Sequence, residues 1–505
     1  MATTPTAADG AAPPPVMSVR TAALWALTSQ YASFAMQFVA SVVLARWYIS
    51  PEQLGQFSVA FASVTLVAFL QDFGVTRYIN GERELTPEKL QTAFTVSVLF
   101  AWGIAVLALL AAWPISLFYR DPGMFTVTLI IASSYLLVPL AIVPQATCQR
   151  RMDYRSNTMI EIGAALANAA TALTLAVMGQ GALALAWGAF AQQAARLIVS
   201  QWRAGGMLPW PLKIRDARPI LAIGGANTVQ VVCSSLSARA PELVIGRLLD
   251  NAAVGLFARA SGLALQLRLL IAGAVTGVFY PAFRRVRDNG EPLGPPYLRV
   301  TAAYTGVTWP AMAGIAVLAE PLIRLLYGER WLAAAPLLAW IALSQICYVA
   351  LPLYADLPLL LGRMRPLMRR MVADTMLSII LIAMTAPFGL EWVAISRVLH
   401  GVLWVVVYAP LMREMLGLRW GELASVFARS ALGSLAAVAP LLVSYAVWDG
   451  PGQLGFVQGG SMVLLGILLW LGTLRAVAHP LHDEIADLAG IVIRQVRSIG
   501  HPATR

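Results

Sequence analysis

Apolar runs of about twenty residues recur along the whole chain, and a run of that length crosses the hydrocarbon core of a bilayer as one helix. Between polar breaks they fall near 22–45, 55–76, 93–117, 125–147, 157–178 and 181–202, then near 220–246, 253–280, 299–326, 332–361, 371–387 and 391–412, with two more near 424–447 and 457–477. The expected fold class is therefore all-α, a polytopic membrane protein of about fourteen transmembrane helices. Of the 505 residues, 59% are hydrophobic and 12% charged. That is too apolar for several soluble domains with water-facing surfaces, so lipid must be the solvent for most of the chain.

The basic residues then set the topology, because loops kept in the cytoplasm hold an excess of Lys and Arg. One alternate set of connections carries Arg77, Arg83 and Lys89; Arg150, Arg151 and Arg155; Arg203, Lys213, Arg215 and Arg218; Arg284, Arg285 and Arg287; and Arg363, Arg365, Arg369 and Arg370. The intervening loops hold only Arg46, Arg120, Arg247, Arg324 and Arg330. An even number of spans with both termini cytoplasmic satisfies this alternation, whereas one helix more or fewer would reverse it from that point on. The formal charge of +11 is thus spent on orientation, and no basic face for nucleic acid is indicated. Residues 1–18 read as a disordered cytoplasmic tail with no secretory signal. After residue 480, Ile485, Leu488, Val492 and Val496 share one face of an amphipathic tail suited to the inner membrane surface.

Enzymatic chemistry finds little support. Connections reach at most about 20 residues, too short for a folded catalytic domain outside the bilayer. No phosphate loop, sugar-nucleotide Asp-x-Asp or nucleophile elbow occurs, so ATP-driven transport within the chain is not indicated. Cys148, Cys233 and Cys347 are scattered packing residues, and His400, His479, His482 and His501 have no metal-ligand spacing. No metal or cofactor is expected, and the energy must come from elsewhere, with H⁺ or Na⁺ coupling as one candidate source.

An internal echo points to transport. LARWYISPEQLGQF from Leu44 reappears as IGRLLDNAAVGLF from Ile245, aligning Arg46 with Arg247, Gly55 with Gly255 and Phe57 with Phe257. PISLFYRD from Pro114 is echoed by PLIRLLYGE from Pro321. Two echoes in the same order imply two homologous six-helix halves, 19–205 and 206–415, followed by two further helices over 416–480 and a tail over 481–505. Six is even, so both halves enter the membrane in the same direction. Such parallel repeats build transporters in which the site lies between repeats and opens to one side at a time.

Polar residues inside the spans mark the interior, because a charge at mid-bilayer is costly unless it faces protein or a wet cavity. The first helix carries Gln30, Ser33, Gln37 and Ser41 on one face, and its repeat mate carries Asn227, Gln230 and Ser234. Arg239 and Glu242 lie one turn apart, a spacing that permits mutual neutralisation. Arg259 shares a face with Gln266, while Arg268 lies on the opposite side of that helix. Arg397 with His400 one turn on is a third cationic candidate, with Glu391 or Asp374 as alternative partners. Glu161 with Arg196, and Glu320 with Arg324, read as structural pairs. Asp72, Glu242 and Asp356 are the candidates for binding a coupling ion. Arginines in the lumen suit an anionic headgroup, since guanidinium pairs bidentately with phosphate oxygens.

The stretch VPQATCQRRMDYRSNTMIEIGAALANAATALTLAVMGQGALALAWG from Val143 to Gly188, together with LARWYISPEQLGQF, LQDFGV (Leu70 to Val75), IGRLLDNAAVGLFARASGL and TGVFYPAFRRVRD, resembles the polysaccharide flippases of the multidrug, oligosaccharidyl-lipid and polysaccharide exporter superfamily. The likeness runs from about residue 20 to 480. It implies a flippase in the bacterial inner membrane that moves an undecaprenyl-diphosphate-linked oligosaccharide repeat unit from the cytoplasmic to the periplasmic leaflet by alternating access, for exopolysaccharide, capsule or O-antigen. A polymerase and other polysaccharide export components would be its partners. The cavity would be supplied by Arg239, Arg259, Arg268 and Arg397. Alternatives are a lipid-linked peptidoglycan precursor flippase or a multidrug antiporter of the same superfamily, or a membrane polymerase or ligase.

Overall fold

The computed structural model describes residues 19–482 except 69, 70, 72, 73, 207, 449 and 451–454. Asp72, residues 1–18 and residues 483–505 therefore lie outside the described residues, as do the side chain of Asn227 and those of several neighbours. The described chain is all-α and no strand occurs in it. Its helices are α1 (Val19–Val43, prolonged by a π turn over Leu44–Tyr48), α2 (Pro51–Ala68), α3 (Val75–Gly81), α4 (Pro87–Tyr119), α5 (Gly123–Ser134), α6 (Val138–Arg150), α7 (Tyr154–Val177), α8 (Ala182–Ala204) and α9 (Arg218–Leu248). There follow α10 (Asn251–Asp288), α11 (Gly294–Val317), α12 (Ala319–Tyr327), α13 (Ala335–Tyr348), α14 (Asp356–Leu360), α15 (Met364–Thr385), α16 (Leu390–Leu416), α17 (Trp420–Val447) and α18 (Phe456–Ala476).

Among the described residues nine helices are long and apolar enough to cross a membrane, and eleven spans result when two bent pairs each count as one. α2, α9 and α10 occupy three other expected positions. The bends have local causes. α5 and α6 meet at 41°, where the amides of Tyr135, Leu136 and Leu137 bond three residues back instead of four. α11 and α12 meet at 72°, where Pro321 near the start of α12 lacks the amide that would continue the ladder. The run near 332–361 is likewise not one helix, because α13 stops at Tyr348 and a turn containing Pro352 and Leu353 (φ 55°) precedes α14.

The chain divides into two compact units. Of the described residues, one unit holds 19–49 with Ser63–Val231, and the other holds Ser50–Ala62 with 232–482. In the first unit α4 shows how packing in lipid works. Ala101, Ala105, Ala108 and Ala112, spaced by 4, 3 and 4, are buried, while Leu107, Leu110, Trp113 and Leu117 stand exposed. Large apolar side chains gain nothing by leaving lipid for protein, so small ones take the helix interface. On α8, Gly188 follows the same rule, for a Cβ there would meet Ala172 Cβ of α7 at 2.9 Å. Polar side chains fix the loops. Thr86 caps α4 through the Lys89 amide, Thr95 Oγ1 donates to the Lys213 carbonyl at 3.1 Å, and Arg150 donates to the carbonyls of Ile79 and Glu82. Glu161 and Arg196 form the expected pair at 2.9 Å.

In the second unit the repeat mates Gly55 and Gly255 face one another. A Cβ on Gly55 would lie 1.6 Å from the Asn251 carbonyl oxygen, and one on Gly255 would lie 1.8 Å from that of Pro51. Each glycine thus sits over the residue four before its mate, a reciprocal contact of the kind a local two-fold axis produces.

The last two helices are tied to α11 by a polar chain. The Leu481 amide donates to His479 Nδ1 at 3.2 Å, so Nε2 carries the proton facing Ser430 Oγ at 3.1 Å. Ser430 lies 2.8 Å from Thr305 Oγ1, and Trp470 Nε1 donates to the Gly306 carbonyl at 3.0 Å. Burial, reinforced by the Arg429 guanidinium, pushes His479 down from its ordinary 6.5 to about 4. A base depressed by folding loses stability as pH falls from its unfolded value towards its folded one. The melting temperature is therefore expected to drop between about pH 6.5 and 4, and His479→Gln to flatten that part of the profile. An unchanged slope in the variant would assign the acid sensitivity elsewhere.

Candidate functional site

A cavity of about 380 Å³ opens within the second unit. α9 contributes Ser234, Ser237 and Glu242 to its wall, α10 contributes Ser261 and Arg268, and α13 contributes Ser344, Gln345 and Tyr348. Asp374 and Thr375 enter from α15, and Arg397, His400, Trp404 and Tyr408 from α16. The spacing of Arg397 and His400, one turn apart, puts both on the same face of α16.

A hydrogen-bonded chain runs along this wall. Arg397 donates from Nη1 to Ser378 Oγ at 2.7 Å and from Nη2 to Tyr348 Oη at 2.9 Å. Tyr348 Oη lies 2.6 Å from His400 Nδ1. A phenol oxygen has two lone pairs, so besides accepting from Arg397 it can either accept from or donate to Nδ1, according to the imidazole tautomer, while Nε2 faces the Asp374 carbonyl oxygen at 3.4 Å. His400 Nε2 is 3.0 Å from Asp374 Oδ1, an ionic distance out of hydrogen-bond alignment, since Oδ1 has no hydrogen-bond partner. Arg268 Nε and Glu242 Oε2 are also buried without one. Three polar atoms on one wall are thus held ready for something besides protein.

The sequence candidates separate in space. Arg268, Arg397 and Glu242 converge on this cavity. Arg259 lies elsewhere, its guanidinium 4.8 Å from the Tyr327 ring centroid and 5.2 Å from that of Trp331. Arg239 stands 5.0 Å from the Phe61 ring. Gln230 and Gln266 are partly buried and outside the cavity wall, Gln30 and Gln37 are exposed on α1, and Asp356 is exposed at the start of α14. Asp374 faces His400, and Glu391 accepts from Trp340 Nε1 at 3.3 Å, so Arg397 takes hydroxyl partners. Tyr348, Ser344 and Gln345 on α13 drew no attention in the sequence. Only helix packing brings their face to α16.

Arg324, by contrast, sits 3.3 Å from Glu320 and 3.0 Å from Glu329 at the surface. Arg259→Ala is expected to lower the melting temperature by several degrees and reduce export, because it removes a partly buried cation from beside two aromatic rings, a contact worth about 2 kcal/mol. Arg324→Ala, which breaks exposed pairs, should shift either by little. Equal losses measured at equal protein level would contradict this.

These helices, enclosing an internal cavity, define a multi-pass all-α membrane protein. The chain belongs to the family described as "Polysaccharide biosynthesis protein", which matches residues 43–336. Among relatives, the succinoglycan biosynthesis transport protein ExoT of Rhizobium meliloti is 25% identical over 64% of this chain and 65% of its own length. The lipopolysaccharide biosynthesis protein WzxC of Escherichia coli is 22% identical over 65% of this chain and 66% of its own. The match thus spans just under two thirds of each relative. In fold, the lipid II flippase MurJ in an inward closed conformation is similar with a TM-score of 0.69 at 14% identity, over 89% of this chain and 98% of that one. An inward-facing multidrug resistance MATE transporter is similar at 0.56 and 14% identity, over 77% and 95%.

Proposed function

We propose that the chain is a flippase that carries an undecaprenyl-diphosphate-linked oligosaccharide from the cytoplasmic to the periplasmic leaflet of the bacterial inner membrane by alternating access, with both termini in the cytoplasm. One observation carries the reading: in a family named for polysaccharide biosynthesis, Arg268 and Arg397 meet from different helices at an internal cavity. Guanidinium groups in surroundings of low dielectric bind a diphosphate far more strongly than they would in water. The serines, Gln345 and the hydroxyl of Tyr348 offer neutral donors of the kind a sugar next to the diphosphate needs. The polyprenyl tail, which needs no polar host, stays in lipid. No covalent step is required, and the energy comes from an ion gradient or the membrane potential acting on an anion.

Deletion of the gene tests this. Synthesis of the lipid-linked unit should continue while the unit accumulates on the cytoplasmic side, reachable by a glycosidase only after the membrane is permeabilised. Accumulation on the periplasmic side would instead identify a defect in polymerisation and sink the flippase reading. A polymerase that consumes the flipped unit would be its functional partner.

A further inference from the structure

The wall of the cavity carries ionisable groups of both signs. Arg268 and Arg397 supply two guanidiniums, Glu242 and Asp374 two carboxylates, all bordering the same space. With both carboxyls ionised and His400 in its neutral form, the wall offers no net positive charge to an anion. A diphosphate diester brings two negative charges into that balance. Something must then add positive charge, and the group built to do so is His400, with Asp374 Oδ1 3.0 Å from its Nε2 and otherwise unbonded.

Resting on the reading of the cavity as the cargo site, we infer that anion binding here takes up one proton, held by the Asp374–His400 pair beside the Tyr348 hydroxyl that Arg397 also contacts. The proton comes from water and bonds to the unprotonated imidazole nitrogen of His400, and no covalent bond to the cargo forms or breaks. Imidazole ordinarily changes charge between about pH 5 and 8, which makes it the side chain suited to this exchange. In the imidazolium Nδ1 carries hydrogen and donates to Tyr348 Oη, which still accepts from Arg397. The Tyr348 hydroxyl proton then points away from the imidazole, free to turn into the cavity as a further donor. One proton thus adds a unit of positive charge and leaves a neutral donor where the diphosphate sits, while the imidazolium gains the Asp374 carboxylate as counter-ion.

Other ionisable groups on the surrounding helices are accounted for. Glu242 on α9 and Arg268 on α10 face the same space, Tyr354 and Tyr408 border it beside Trp404, and Arg239 on α9 is turned over Phe61. Cys233 lines it as well, and Cys347 on α13 packs near the site of Gly401. Of these, Glu242 is the rival site for the proton, which it would take by losing its charge. By linkage, if binding takes up a proton then lower pH strengthens binding, by up to about tenfold in Kd for each pH unit.

The full-length protein in detergent is titrated calorimetrically with a short-chain isoprenyl diphosphoglucose, whose diphosphate diester does not itself titrate near neutral pH. Repeating the titration in buffers of different ionisation heat counts protons. Wild type is expected to take up about one proton per ligand and to bind more tightly as pH falls. His400→Gln should bind about tenfold more weakly with uptake near zero, and Glu242→Gln should keep the uptake. Wild-type binding with no proton exchange, read without any variant, overturns the inference but leaves the cargo reading standing. Uptake that persists in His400→Gln and vanishes in Glu242→Gln overturns it too, moving the proton to Glu242. No binding by the wild type overturns both this inference and the cargo assignment of the cavity, whatever the deletion phenotype.

Discussion

Leucine at position 55 or 255 is expected to leave less than a tenth of the normal amount of folded protein in the membrane, scored by monodisperse elution of a fluorescent fusion. The reason is positional. A Cβ on Gly55 would stand 1.6 Å from a backbone oxygen, and one on Gly255 would stand 1.8 Å from another. No side chain can swing aside to relieve such contacts, so α2 and α10 must separate. Ordinary overpacking costs about 1–3 kcal/mol, and forcing two helix backbones apart costs more. Alanine should already be damaging at both positions, and equally so, because the contact is reciprocal. Gly103 on α4 provides the contrast, since a Cβ there would meet nothing within 4 Å. Gly103→Leu should elute as wild type. Normal yields for Gly55→Leu would mean that the two helices are not pinned at this crossing.

Arg268→Gln is expected to reduce export by roughly a hundredfold while the protein remains folded. Removing one of two guanidiniums leaves two carboxylates on the wall, Glu242 and Asp374, so the cavity turns repulsive to an anion. A unit charge about 6 Å away at an effective dielectric near 20 is worth about 3 kcal/mol, which is where the hundredfold comes from. Arg397→Gln should behave similarly, with an added loss because Tyr348 and Ser378 forfeit their donor. The informative variant is Arg268→Gln combined with Glu242→Gln, which restores the charge balance and should recover part of the export. Lysine at 268 should recover less than the wild-type level, as it keeps the charge without the planar fork. Should the double variant be as inactive as Arg268→Gln alone, at equal abundance, charge would not be what Arg268 contributes.

Much of the membrane architecture was readable in the order of residues. Runs of apolar residues marked where helices cross, and the repeat echo picked out Gly55 and Gly255 before any coordinates placed them in contact. Kinks were not readable, because hydropathy averages over a run and does not register a lost amide partner at Pro321 or Pro352. Site residues were legible in type but not in grouping. Arg259, sharing a face with Gln266, was the favoured cavity cation of that span over Arg268 on its opposite side, yet Arg259 lies beside the rings of Tyr327 and Trp331 and Arg268 borders the cavity.

What the sequence by itself determined is the solvent of each segment, since transfer of a side chain between water and lipid is a property of that residue and its near neighbours. What only the tertiary structure decided is which charges meet. Asp374 and His400 are 26 positions apart and Tyr348 and Arg397 are 49 apart, and no local periodicity links them. Electrostatic balance in a cavity depends on distances of a few ångströms between groups carried by different helices, and those distances exist only after the helices have packed.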